Sequence, residues 1–208
     1  SHLIASTIPN CRAYDPCFGY ELAAIVEEGS RRMLDQQRDE FFYVTTYNEN
    51  YDHPGMPPDA PEGILKGMYL LSKTSKPQIQ LLGSGPILRE VIAAAELLKN
   101  DWQIEANVWS VTSFTELRRD GMQAERARRL GGKAEGWVEP CHKGANGPVV
   151  AASDYVSALA DLIREWVPGK YVTLGTDGFG RSDTRAALRA HFGVDGAAIV
   201  RAALAALN

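Results

Sequence analysis

The densest group of side chains able to do chemistry is Asn48-Glu49-Asn50-Tyr51-Asp52-His53. Carboxylates beside an imidazole can relay a proton or help recognise an acid, because histidine as a residue type changes charge near neutral pH. The same composition also suits a solvated loop whose side chains close their own turns. A second candidate is Gly83-Ser84-Gly85-Pro86. A glycine-rich turn at the head of a helix can cradle phosphate with its backbone N–H groups. Leu88 stands where the dinucleotide fingerprint has its third glycine, so a plain strand-to-helix turn competes with that reading. A third is Tyr14-Asp15-Pro16-Cys17-Phe18-Gly19-Tyr20. Its aromatic rings could stack on a flat heterocycle or belong to the core. Asp177-Gly178-Phe179-Gly180-Arg181-Ser182-Asp183 lacks the accompanying motifs of a kinase. It reads instead as a loop in which Ser182 or Asp183 caps the next helix. His142 sits beside Cys141, but two adjacent residues do not make a metal site.

These residues need elements to hold them. Residues 20–29 read as a helix stopped by Gly29, and 41–47 as an aromatic, β-branched strand. Pro54, Pro57, Pro58 and Pro61 make 48–61 stiff and extended, and mark it as a domain boundary. Strands are predicted at 79–82, 106–114, 149–152 and 171–174. Helices are predicted at 86–98, from 115 onward, and over 155–167, 182–191 and 196–207; residues 131–147 are glycine-rich and irregular. Short apolar strands alternating with helices give an α/β fold: a three-layer domain with a mostly parallel sheet. In such sheets ligands gather at the carboxyl ends of the strands.

The formal net charge is −4 with no run of one sign, which argues against nucleic acid. No continuous apolar stretch reaches the roughly 20 residues that span a bilayer, and no signal peptide is evident. Cys11, Cys17 and Cys141 fit no zinc or redox spacing, so reduced thiols and a cytoplasmic setting are expected.

Several stretches together resemble one family. They are Ala5–Cys11, Tyr14-Asp15-Pro16, Phe18-Gly19-Tyr20-Glu21, Thr45–Tyr51, Leu81–Gly85, Ser110–Leu117 and Leu174–Asp183. In order and spacing they resemble the homodimeric decarboxylating component of bacterial pyruvate dehydrogenase, a branch of the transketolase superfamily. The resemblance implies that residues 1–63 are the last part of a pyrimidine-binding domain. Residues 64–208 would then be a transketolase C-terminal-like domain. It also implies that a preceding domain, with the Gly-Asp-Gly motif for metal and diphosphate and the glutamate that activates the cofactor, lies outside this chain. The implied cofactors are thiamine diphosphate and Mg²⁺, and the implied partners are a second copy and a lipoyl acetyltransferase. By resemblance Tyr14 and Phe18 lie near the aminopyrimidine ring. Glu49 and His53 lie at the active-site mouth, facing pyruvate or the lipoyl group. The Asp177–Asp183 loop is structural, near subunit contacts. The isolated chain is expected to be inactive. The alternative is a non-catalytic α/β domain for dimerisation or partner docking; a sugar-phosphate transketolase fits the Asn48–Tyr51 and Ser110–Leu117 runs less well.

Overall fold

The computed structural model describes residues 2–208. Helix α1 (His2–Ala5) and strand β1 (Cys11–Tyr14) precede helix α2 (Gly19–Ser30), which widens into a π-turn over Arg31–Asp35 before strand β2 (Phe41–Val44). An extended stretch with the predicted prolines then leads to helix α3 (Ala60–Lys66). The remaining elements are β3 (Met68–Ser72), β4 (Ile79–Gly83), α4 (Ile87–Trp102), β5 (Ala106–Val111), α5 (Phe114–Arg129) and α6 (Val138–Cys141). They continue with β6 (Val149–Ala152), α7 (Ser157–Ala160), β7 (Tyr171–Leu174), α8 (Arg185–Phe192) and α9 (Gly196–Leu207).

The large sheet has the order β3-β5-β4-β6-β7. β4 runs parallel to both β5 and β6, and β6 parallel to β7; only edge strand β3 is antiparallel. The mostly parallel, three-layer α/β architecture expected from the pattern is therefore present. α4 and α9 cover one face, burying Val91, Leu98, Ile199 and Val200 against Leu81, Val108 and Val150. α5 and the turns around Ile163 and Trp166 cover the other, against Leu82, Trp109 and Ala151. Gly121 permits that second contact, since a Cβ there would lie 2.5 Å from the Trp166 ring. β4 is buried on every residue, which is why its sequence is apolar on both faces and not an alternation; the exception, Gln80, is satisfied by the Trp109 indole N–H at 2.9 Å.

Three sequence expectations change. The helix expected over 155–167 is a four-residue α-turn followed by a 3₁₀ segment, Asp161–Trp166. The cap of α8 is Thr184, whose hydroxyl accepts from the Ala187 N–H at 3.3 Å, and not Ser182 or Asp183. Residues 185–207 are long and apolar enough by composition to cross a membrane. They form two helices broken at Gly193, and the second buries Ile199, Val200 and Ala203 in the core against α4.

β1 and β2 form a separate two-stranded parallel sheet, shorter than the 41–47 strand expected. The division expected at 63/64 falls inside α3. That helix packs Ala60 and Ile64 into one cluster with Tyr14 and Ile25 on one side and Tyr69 on the other, so the two units share a core.

His142 is 2% exposed, and among the described residues neither ring nitrogen has a hydrogen-bond partner. Burial lowers its pKa to about 4, and does the same to His2. The unfolded chain takes up these protons near pH 6.5, whereas the folded chain resists until about pH 4. Stability should therefore fall as pH drops through that window, by about 2 kcal/mol per histidine between pH 7 and 5. Chemical unfolding at the two pH values measures this, and His142→Leu should remove its share of the decline.

Candidate functional site

The site region is organised by two carboxylates withdrawn from water. Asp15, just past β1, is 3% exposed. Its carboxylate accepts from the Thr45 hydroxyl at 2.6 Å, the Tyr47 hydroxyl at 2.8 Å and the Ser84 hydroxyl at 2.8 Å. Its own N–H donates to the Thr112 carbonyl, and its carbonyl accepts from the Gly85 N–H. Burial pushes the Asp15 pKa up, and the three hydroxyls oppose that. Tyr47 also lies 3.1 Å from the Tyr155 hydroxyl. The single Tyr47 hydroxyl hydrogen thus faces two acceptors, the nearer Asp15 carboxylate and the Tyr155 hydroxyl.

The Gly83-Ser84-Gly85 turn thus holds a carboxylate from its own chain. Gly85 has φ +51, and a Cβ there would meet Asp15 Oδ2 at 2.5 Å. The phosphate-cradle reading of this turn gives way to the structural one, because Asp15 occupies the place a phosphate would take.

Glu21 is the second pin and is fully buried. Reaching back from the first turn of α2, it accepts from the Cys17 N–H at 2.6 Å and the Phe18 N–H at 2.9 Å, satisfying amides at the helix entrance. Its other oxygen accepts from the Tyr69 hydroxyl on β3 at 2.7 Å and the Ser110 hydroxyl on β5 at 2.6 Å. Arg12 adds an ionic seam, bridging Glu40 and Glu116 at 2.7 Å each.

The Asn48–His53 loop lies across the second unit, gripped by arginines. Glu49 Oε2 is 2.7 Å from Arg189, and Oε1 is 2.9 Å from Arg89. Arg185 donates to the Asn48 carbonyl. The Arg89 guanidinium also sits over the Tyr51 ring, 4.5 Å from its centroid. The Tyr51 hydroxyl donates to the Cys17 carbonyl. Burial alone would raise the Glu49 pKa, but Arg189 and then Arg89 outweigh it and hold Glu49 below the usual carboxylate range. A carboxylate with both oxygens occupied by guanidinium groups is a fixed anchor and a poor carrier of protons. His53 is exposed and accepts at Nδ1 from the Gly19 N–H at 2.9 Å. In the neutral ring the hydrogen is therefore on Nε2, free to donate.

Three of the four residues picked from the sequence meet here. Phe18, Glu49 and His53 line one pocket of about 120 Å³, together with Thr45, Tyr47 and Tyr51. That is well below the roughly 300 Å³ at which small-molecule sites begin, so it is a wall or mouth and not an enclosed site. Tyr14 is outside it. Its ring is 1% exposed and stacked on Phe42, and its hydroxyl donates to the Leu65 carbonyl. Phe18 is 5% exposed and packs on Tyr20, so neither ring offers an open face for stacking. Cys17 is equally closed in, its thiol pushed up to about 12 by burial. Glu21, Arg89 and Arg189 were not anticipated. The four-residue spacing of Arg185 and Arg189 is the one signal that could have pointed to a basic helix face.

Two outcomes are expected. Asp15→Ala removes the acceptor of the buried Ser84 hydroxyl, leaves Thr45 and Tyr47 with only their longer contacts to the Tyr14 carbonyl and Tyr155, and should cost about 2–4 kcal/mol in chemical unfolding. Arg189→Ala frees one of the two Glu49 oxygens and should speed limited proteolysis within 48–59 while the core stays folded.

Residues 1–54 match the family described as pyruvate dehydrogenase E1 component middle domain, and residues 67–195 the transketolase-like TK C-terminal domain. The pyruvate dehydrogenase E1 component of Pseudomonas aeruginosa is 58% identical over the whole chain, and that of Escherichia coli K12 is 48% identical. The chain spans 24% of the length of each. Among solved structures, transketolase from Campylobacter jejuni superposes on 98% of the chain with TM-score 0.67 at 17% identity. The chain covers 27% of that protein. Transketolase from Leishmania mexicana superposes on 99% with TM-score 0.66 at 18% identity, and the chain covers 26% of it. With more than half of its residues matched, the chain belongs to the transketolase-like C-terminal domain family, joined at its amino-terminal side to a stretch similar to the middle domain of pyruvate dehydrogenase E1 components.

Proposed function

We propose that the chain serves as the carboxyl-terminal part of a pyruvate dehydrogenase E1 component. In this reading the whole enzyme decarboxylates pyruvate with thiamine diphosphate and acetylates the lipoyl group of an acetyltransferase partner. It acts as a homodimer in the cytoplasm. The observation that carries the reading is the pocket shared by Phe18, Glu49 and His53, set in a chain similar along its whole length to such components.

The chain's own residues do not make a cradle for the cofactor. The Tyr14 and Phe18 rings are closed in. Among the described residues, no cluster of three or more His, Cys, Asp or Glu is placed to hold a metal ion. In this reading the diphosphate and metal ligands belong to the rest of the enzyme, and this chain contributes to the mouth of the site. There His53 offers its Nε2–H to an acid or a thiol, while Glu49, held by Arg89 and Arg189, fixes the loop.

A second reading is a non-catalytic module for dimerisation or docking. The saturation of Glu49 by arginines favours it, since that carboxylate is committed to structure. The complete enzyme carrying His53→Ala separates the two. If His53 faces the reaction, lipoyl acetylation should fall at least tenfold with unfolding stability unchanged. Wild-type turnover in that variant would leave the modular reading standing.

A further inference from the structure

A crevice of about 260 Å³ opens beside the mouth, at the carboxyl ends of β6 and β7. Its position has a topological cause. The chain leaves β4 for β5 on one side and returns to β6 on the other, so neighbouring connections diverge at β4 and leave a gap there. Asp15 and Tyr47 fill the part of the gap over Ser84; the crevice is what remains between Asp154, Thr176 and α8.

The walls are chemically uneven. Leu188 and Phe192 of α8 provide an apolar side. Arg181 and Arg185 provide a basic one. Arg189 is consumed by Glu49 and Glu90 at 2.7 and 3.1 Å, but its two neighbours are not. Among the described residues Arg181 has no carboxylate partner, and the nearest carboxylate oxygen to Arg185 is that of Glu49 at 3.8 Å. Opposite them stands Asp154, whose carboxylate accepts no hydrogen bond among the described residues, while its backbone carbonyl takes the Thr176 hydroxyl at 2.9 Å. Asp154 keeps an exposed face at the rim, and partial desolvation, followed by the charge of Asp15, pushes its pKa up.

We infer that this crevice binds a small hydroxylated phosphate monoester, with the phosphate on Arg181 and Arg185 and a hydroxyl on Asp154. Guanidinium forks match phosphate oxygens and favour a dianion over a single carboxylate. Glu49 and Asp154 keep the crevice from accepting any polyanion, because a second phosphate would face a carboxylate. The volume accommodates a molecule of about ten heavy atoms, at the lower end of the small-ligand range. Arg185 also donates to the Asn48 carbonyl, so a phosphate drawing on Arg185 competes with one anchor of the Asn48–His53 loop. Occupancy of the crevice is thereby coupled to the freedom of that loop. This assignment is independent of the decarboxylase reading.

The test is titration of the 208-residue chain at low salt, by calorimetry and by amide chemical shifts, with glycerol 3-phosphate, inorganic phosphate and glycerol as probes. Glycerol 3-phosphate should bind saturably at millimolar concentration, at least fivefold more tightly than inorganic phosphate. The largest shifts should fall at Gly178, Gly180 and Asn48. The double variant Arg181→Gln/Arg185→Gln should lose at least tenfold in affinity, and Asp154→Asn should erase the preference over inorganic phosphate. Arg118→Gln/Arg126→Gln, on the far helix α5, should change nothing. Absence of saturable binding, shifts centred elsewhere in the wild-type chain, or equal loss from the α5 pair would each overturn the assignment.

Discussion

Burying a carboxylate is expensive unless donors replace the lost water, and this chain buries two at the seam between its small and large sheets. The donors for Asp15 come from 45, 47 and 84; those for Glu21 come from 17, 18, 69 and 110. Each carboxylate is satisfied only when both units are docked. Removing a donor while the seam stays closed would leave an unmatched carboxylate in a dry setting. The rest of the arrangement inherits that constraint: α2 starts where Glu21 can cap it, and the β4–α4 turn closes on Asp15.

The same economy of charge decides what the polar loop can do. Glu49 and His53 are near neighbours in sequence, yet their surroundings separate them. Glu49 is locked between Arg89 and Arg189 from the second unit. Among the described residues His53 accepts from the Gly19 amide, lies against the rings of Phe18 and Tyr51, and keeps an open nitrogen. A carboxylate held by two cations anchors; an imidazole with a free edge can exchange. The loop therefore joins a fixed end to a responsive one across a few residues.

The small β1–β2 sheet shows the opposite imbalance. Phe41 and Tyr43 remain 44% and 38% exposed on a strand with one partner, and Ile4 and Leu34 lie open nearby. Parallel strands are normally covered on both faces and paired on both edges. The order of this unit comes mainly from its attachment to the larger one, through α3, Arg12 and the two buried carboxylates.

Local pattern was enough to place the strands of the parallel sheet and the helices between them, because a strand buried on both faces is predominantly apolar and an amphipathic helix repeats every three to four residues. Pattern also isolated the loop carrying Glu49 and His53, and the aromatic run carrying Phe18. It missed β1, too short to declare itself, and it extended the 155–167 helix through a segment whose tight turns are set by packing Trp166 on Gly121. What each candidate residue does was beyond its reach. Tyr14 and Phe18 are the same residue types whether stacked on a ligand or sealed in a core, and only neighbours distant in the chain, Phe42 and Leu65, show that Tyr14 is sealed. Glu49 meets Arg189 across 140 residues of sequence, and Asp15 meets Ser84 across 69. Partners that remote are chosen by the closing of the sheet and its helices, so tertiary structure alone decided which carboxylates hold the protein together and which histidine is left free.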